Sequence, residues 1–143
     1  MSKLVMKFGG TSVSGIDRIR NAASKILVEV EKGYDVIVIV SAMAGETNRL
    51  VSLVGDVSKL YDAREYDAIV SSGENASAGL LALTLQTMGV SARSWQGWQV
   101  PLMTNSTHGS ARILEIPTQN LNEKFLDGMQ VAVVAGFQGL TKE

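Results

Sequence analysis

The feature that most constrains this chain is Val36-Ile37-Val38-Ile39-Val40, a run of β-branched residues with no polar residue among them. A strand with one wet face alternates apolar and polar residues. An unbroken run needs cover on both faces, as in a parallel sheet. Ahead of it, Ile16, Ile19, Ala22, Ala23, Ile26, Leu27 and Val30 recur at helical spacing. Ser14 with Asp17 reads as the start of that helix and Gly33 as its stop. Leu4-Val5-Met6 is a short strand before it. Strand, helix and strand of these lengths make a βαβ unit. The predicted class is α/β, a three-layer αβα arrangement around a mostly parallel central sheet.

The pattern continues downstream. Leu50, Leu53, Val54, Val57, Leu60 and Tyr61 mark an amphipathic helix, and Asp67-Ala68-Ile69-Val70-Ser71 reads as a short strand. Ser72-Gly73-Glu74 opens a helix to about Met88, apolar on most sides and therefore buried, and Gly89 ends it. Residues 90–94 are the next strand. Gly97 reads as a hairpin turn between Trp95 and Trp98, whose rings are assigned to packing. Leu102-Met103-Thr104 and Ala111-Arg112-Ile113-Leu114 read as an antiparallel flap. Pro117-Thr118 begins a helix to about Phe125, and residues 130–135 form a last buried strand.

Four predicted strands thus end in small residues: at Gly9-Gly10, at 41–45, at Ser71-Ser72-Gly73 and at 136–139. Ligands of open α/β sheets bind outside the carboxyl ends of the strands, and small residues leave room there. In Lys7-Phe8-Gly9-Gly10-Thr11-Ser12-Val13 the glycines permit close backbone approach. The amides of residues 9–12 can face an anion, and the Lys7 ammonium can reach the same space. That combination suits a polyphosphate. Neither a P-loop, a Gly-x-Gly-x-x-Gly fingerprint nor a Gly-x-Ser-x-Gly elbow occurs. Cysteine is absent, and His108 is the lone histidine, so no imidazole–thiolate metal site is expected. A formal net charge of -1 gives no basic surplus for nucleic acid. The longest aliphatic run falls far short of a membrane span, so a cytoplasmic protein is expected.

Three segments in order resemble the aspartate kinases of the amino acid kinase superfamily. They are Lys7 to Val13, Val40-Ser41-Ala42-Met43-Ala44-Gly45-Glu46-Thr47-Asn48-Arg49-Leu50, and Ser71-Ser72-Gly73-Glu74. The resemblance runs over the whole chain and implies an amino acid kinase-like fold. It implies transfer of the γ-phosphoryl of ATP, with Mg2+, to the β-carboxylate of L-aspartate, giving 4-phospho-L-aspartate on the route to lysine, threonine and methionine. Carried over by position, Lys7 would be catalytic, holding the transferring phosphoryl group. Lys7, Phe8, Gly9, Gly10 and Ser41 would line the nucleotide's place. Thr47 and Glu74 would hold aspartate, with Glu74 facing its α-ammonium. Mg2+ would be held by the ATP phosphates and by downstream residues.

Aspartate kinases continue further, through a Gly-Arg-Gly-Gly-Ser-Asp segment and regulatory ACT domains. Residues 1–143 are therefore expected to be the N-terminal, amino-acid-binding part of a kinase domain, inactive alone. The edge of the last strand is expected to be exposed and to favour a homo-oligomer. Two rivals remain: another kinase of the superfamily, and a non-catalytic ligand-binding or interaction domain.

Overall fold

The structure, a computed structural model, describes residues 2–141. Its order is β1 (Lys3–Phe8), α1 (Ile16–Glu31), β2 (Asp35–Val40), α2 (Glu46–Val57), α3 (Ala63–Val70), α4 (Ser72–Thr87), β3 (Ala92–Trp95), β4 (Met103–Thr104), β5 (Ile113–Glu115), α5 (Gln119–Leu126) and β6 (Val131–Ala135). A 3₁₀ turn over Gly10–Val13 stands between β1 and α1.

Four strands form one parallel sheet in the order β1-β2-β6-β3. The two unbroken β-branched runs, β2 and β6, lie side by side at its centre, as their lack of polar alternation requires. In register, Phe8 pairs with Val40 and Val40 with Ala135, so three strands finish level. One face carries α1 and α4, with Ile19, Ile26, Leu81 and Leu85 sealed over Val36, Val38, Val131 and Val133. The other carries α5, with Leu121, Phe125 and Met129 over Ala132 and Val134. β4 and β5 form the antiparallel flap expected from the sequence. Gly33 and Gly89, at φ 93° and 82°, close α1 and α4 as read.

Several expectations are corrected. Residues 67–71 are not a strand: they end α3, a helix capped by Asp62, whose carboxylate accepts from the Arg64 and Glu65 amides. The cap and the helical spacing of Tyr66, Ile69 and Val70 override the short apolar run. β6 is not an edge strand. It arrives through α5 on the second face and inserts between β2 and β3, so the edges are β1 and β3. β1 carries Lys3 and Lys7 there, exposed charges that deter strand addition. α1 starts from Gly15 at φ 96°, without a side-chain cap from Ser14. α2 stops at Val57, leaving Leu60 94% exposed and Tyr61 stacked on Tyr66. Gly97 makes no hairpin, because β3 pairs with β6 and the chain after it turns toward β4.

Candidate active site at the carboxyl ends of the strands

The three segments picked out in the sequence meet at one residue, Ala42. Its carbonyl oxygen lies where a Cβ on Gly10 would come within 2.7 Å, so only glycine fits at position 10 without displacing backbone. Its methyl lies 2.9 Å from the place of a Cβ on Gly73. Its amide donates to Glu74 Oε1 at 3.3 Å. Main-chain bonds lock the same corner: the Ser41 amide to the Phe8 carbonyl at 3.3 Å and the Ala44 amide to the Gly10 carbonyl at 3.2 Å. On the other side the Gly136 amide donates to the Val40 carbonyl at 3.0 Å. The loops after β1, β2 and β6 are thus one block, joined by the first turn of α4.

Glu74 is the unusual group in that block. It is 4% exposed, and its Oε2 is buried with no hydrogen-bond partner. Burial holds its pKa above the ordinary carboxylate value, opposed by the amides of Glu74 itself and Ala42. Nearby, Glu46 Cγ lies 3.5 Å from the place of a Gly73 Cβ. Arg49 grips Glu46 in a fork, Nε to Oε2 at 3.0 Å and an Nη to Oε1 at 2.6 Å, and this pairing lowers the Glu46 pKa. Glu46 therefore carries its own counter-charge. A buried carboxylate oxygen without a partner makes Glu74 a candidate ligand-binding group.

The other predicted site residues are placed as follows. Lys7 is exposed at the end of β1, in register with Ile39, on the α5 face of the sheet. Glu74 belongs to a helix on the opposite face. The two share one end of the sheet and would approach each other only across its upper rim. The Phe8 ring is in the core, and its carbonyl accepts from the Ser41 amide. Gly9 is exposed, and a Cβ there would meet nothing within 4 Å. Ser41 and Thr47 are half-buried, Thr47 on the first turn of α2. The Ser12 amide closes the 3₁₀ turn on the Gly9 carbonyl at 3.0 Å, which removes it from the expected anion cradle. The Ser71–Gly73 stretch reaches the site as a helix start rather than as a strand end.

Two contributors were not visible as such in the sequence. Gln138 Oε1 accepts from the Gly97 amide at 3.0 Å, and its Nε2 donates to the Ser71 carbonyl at 2.9 Å and to Asn75 Oδ1. At the tip of the flap, His108 Nδ1 sits 2.9 Å from Asp67 Oδ2, and the Gly109 amide bonds both Asp67 oxygens. No local motif announces either link, because both join residues distant in sequence. A cavity of about 360 Å³ lies elsewhere, between β4, β5 and Thr141. Among the described residues no three His, Cys, Asp or Glu side chains could jointly hold a metal ion.

The family model described as "Amino acid kinase family" matches residues 2–143. An aspartokinase of Rickettsia felis is 47% identical over 99% of this chain, which covers 36% of that protein. The chain therefore spans about a third of the length of such relatives. An aspartate kinase structure from Synechocystis superposes with a TM-score of 0.80 at 37% identity, over 98% of this chain and 22% of its own. E. coli aspartokinase III, solved in complex with aspartate and ADP, superposes with a TM-score of 0.80 at 21% identity, over 99% of this chain and 42% of its own. The second likeness, at that identity, speaks to fold.

Proposed function

The chain belongs to the amino acid kinase family, and on that premise we propose that it is the acceptor-binding part of an aspartate kinase. The reaction moves the γ-phosphoryl of ATP onto the β-carboxylate of L-aspartate. A bond forms between a carboxylate oxygen and the γ-phosphorus, the bond to the β,γ-bridging oxygen breaks, and ADP leaves. The observation that carries the reading is Glu74, buried with an unsatisfied oxygen at the meeting point of three loops.

The nucleophile is already ionised at neutral pH, so the site needs no general base. Its tasks are orientation and charge neutralisation. Glu74 offers a carboxylate to the α-ammonium of aspartate, with Thr47 on the adjoining helix start. The open side of Gly9 admits a phosphate to the main chain, while Gly10 is held against Ala42. Lys7, exposed and free to swing over the rim, places its ammonium on the transferring phosphoryl oxygens. Mg2+ would arrive on the nucleotide's phosphates and neutralise part of their charge.

Calorimetric titration of the full-length protein with L-aspartate, succinate and ATP separately tests this. Binding of L-aspartate but not succinate, which lacks the amine, is expected. Equal binding of both would remove Glu74 from acceptor recognition. ATP binding without aspartate binding would favour a different kinase of the family, and binding of neither a non-catalytic domain. A cytoplasmic homo-oligomer belongs to the same proposal. Its basis is now the exposed Val57 at the end of α2 and Leu60 just past it rather than β6, and sedimentation would measure it.

A further inference from the structure

We propose that Gln138 is a positioning residue for Glu74, binding the loop after β6 to both flanks of the acidic residue. This rests on the reading that Glu74 receives the acceptor's ammonium. Gln138 is the one side chain between Gly136 and Gly139 that can both donate and accept. Its amide nitrogen bonds the carbonyl of Ser71, three residues before Glu74, and the side chain of Asn75, the residue after it. Its amide oxygen takes the Gly97 amide from the β3–β4 connection. One planar group therefore joins three separate segments around the first turn of α4.

The arrangement is specific to an amide. Reversing it would set N–H against the Gly97 N–H and C=O against the Ser71 carbonyl, so the network dictates the orientation. A glutamate of the same shape would bring a carboxylate onto two oxygens and lose both donated bonds. An asparagine is one methylene short of the span. Gly97 belongs to the same device, since a Cβ there would stand 2.8 Å from Gln138 Cβ. Next to Gln138, Phe137 is held at φ 59°, a left-handed conformation that a bulky residue adopts only when its surroundings impose it. The cost of that conformation is consistent with a loop whose position matters.

The consequence concerns Glu74. Its carboxylate is held by main-chain amides, that of Ala42 at 3.3 Å and its own, so its placement depends on where the helix start is held. Gly73 against Ala42 sets that start from one side and Gln138 sets it from the other. Freed from Gln138, the first turn of α4 would fray, water would reach Glu74, and the acceptor's amine would meet a solvated, mobile acid.

The test compares Gln138→Ala, Gln138→Glu and Asn75→Ala in the full-length protein. For both Gln138 variants, KM for L-aspartate rises about tenfold, the worth of one or two net hydrogen bonds. KM for ATP stays within about twofold, and Asn75→Ala gives a smaller rise. A second readout needs no activity: the Glu74 carboxyl, followed by carbon NMR, titrates nearer the ordinary carboxylate range in Gln138→Ala than in the parent. If the parent protein fails to bind L-aspartate, the proposed function falls while the NMR comparison still reads the link between Gln138 and Glu74. An unchanged Glu74 titration in all three variants overturns the proposal. So does a Gln138→Glu protein that behaves as the parent, or a KM for ATP that rises in step with that for aspartate. Should Gln138→Ala not fold, Asn75→Ala decides by the same two readouts.

Discussion

On the face of the sheet covered by α1 and α4, Ile19, Ile26, Leu81 and Leu85 are wholly sealed over the central strands. On the opposite face, one short helix, α5, brings Leu121 and Phe125 over Ala132 and Val134, and Ile37 and Ile39 are only partly covered. The proposed chemistry divides in the same way. Glu74 stands on the thick side, buried in the first turn of α4. Lys7 stands on the thin side, with its side chain in solvent. A buried acid must be held by packing, because nothing else keeps an unpaired oxygen out of water. A lysine that meets a mobile phosphoryl group needs reach more than rigidity, and losing rotamer freedom on binding is its cost.

Leu81→Ala should break the thick side most. Its side chain is fully buried, and such truncations cost about 2–5 kcal/mol. Leu121→Ala, at 5% exposure on the short helix α5, should fall at the lower end of that range, since its site can relax. Urea unfolding of the two variants measures the difference. A larger loss at Leu121 would mean that the two faces are not unequal in the way described.

Lys7→Ala addresses the thin side through activity. In the full-length protein it should lower kcat by about 10²–10³, the usual effect of removing one well-placed transition-state donor. The melting temperature should stay within a degree or two of the parent, because an exposed lysine on an edge strand stabilises little. Unchanged turnover would exclude Lys7 from phosphoryl transfer.

The two adjacent glycines sharpen the comparison further. Gly10→Ala would drive a methyl into the Ala42 carbonyl and should cost about 1–3 kcal/mol of stability. Gly9, at φ -75° and ψ 171° with open space beside it, should accept alanine within about 0.5 kcal/mol. Gly9→Ala should instead weaken ATP binding. Equal destabilisation by both would mean that the turn, not a ligand, requires the first glycine.

What the sequence made legible follows the same divide. The runs at 36–40 and 131–135 name central strands because continuous β-branched residues have no other comfortable home. Lys7 to Val13 names the glycine turn after β1 because glycines there serve local backbone geometry. Residues 67–71 misled because an apolar stretch of that length has no readable period, and the Asp62 cap that starts the helix went unread. The position of β6 between β2 and β3 was hidden, because strand order is decided by which helix covers which face and not by the strand's own residues. Gln138 was hidden for a similar reason: its three partners lie 41, 63 and 67 residues away.

The smallest expected effect is also the most specific to Glu74. In the unfolded chain this group ionises near the ordinary glutamate value of about 4.3. In the folded protein burial holds its pKa higher. Between those two values the native state keeps a proton that the unfolded chain has released. By linkage, stability then falls as pH rises through that window and is highest below the unfolded value. Glu74→Gln has no proton to lose there. The difference in unfolding free energy between parent and Glu74→Gln, measured in urea from pH 4 to pH 8, should therefore move against the parent as pH rises, and other titrating groups cancel. Saturating L-aspartate should flatten the trend in the parent, since the bound ammonium repays the ionised form, and should leave the variant unaffected. Parallel curves for the two proteins without ligand would show that the thick side does not hold Glu74 away from water, and the contrast between the two faces would lose its chemical meaning.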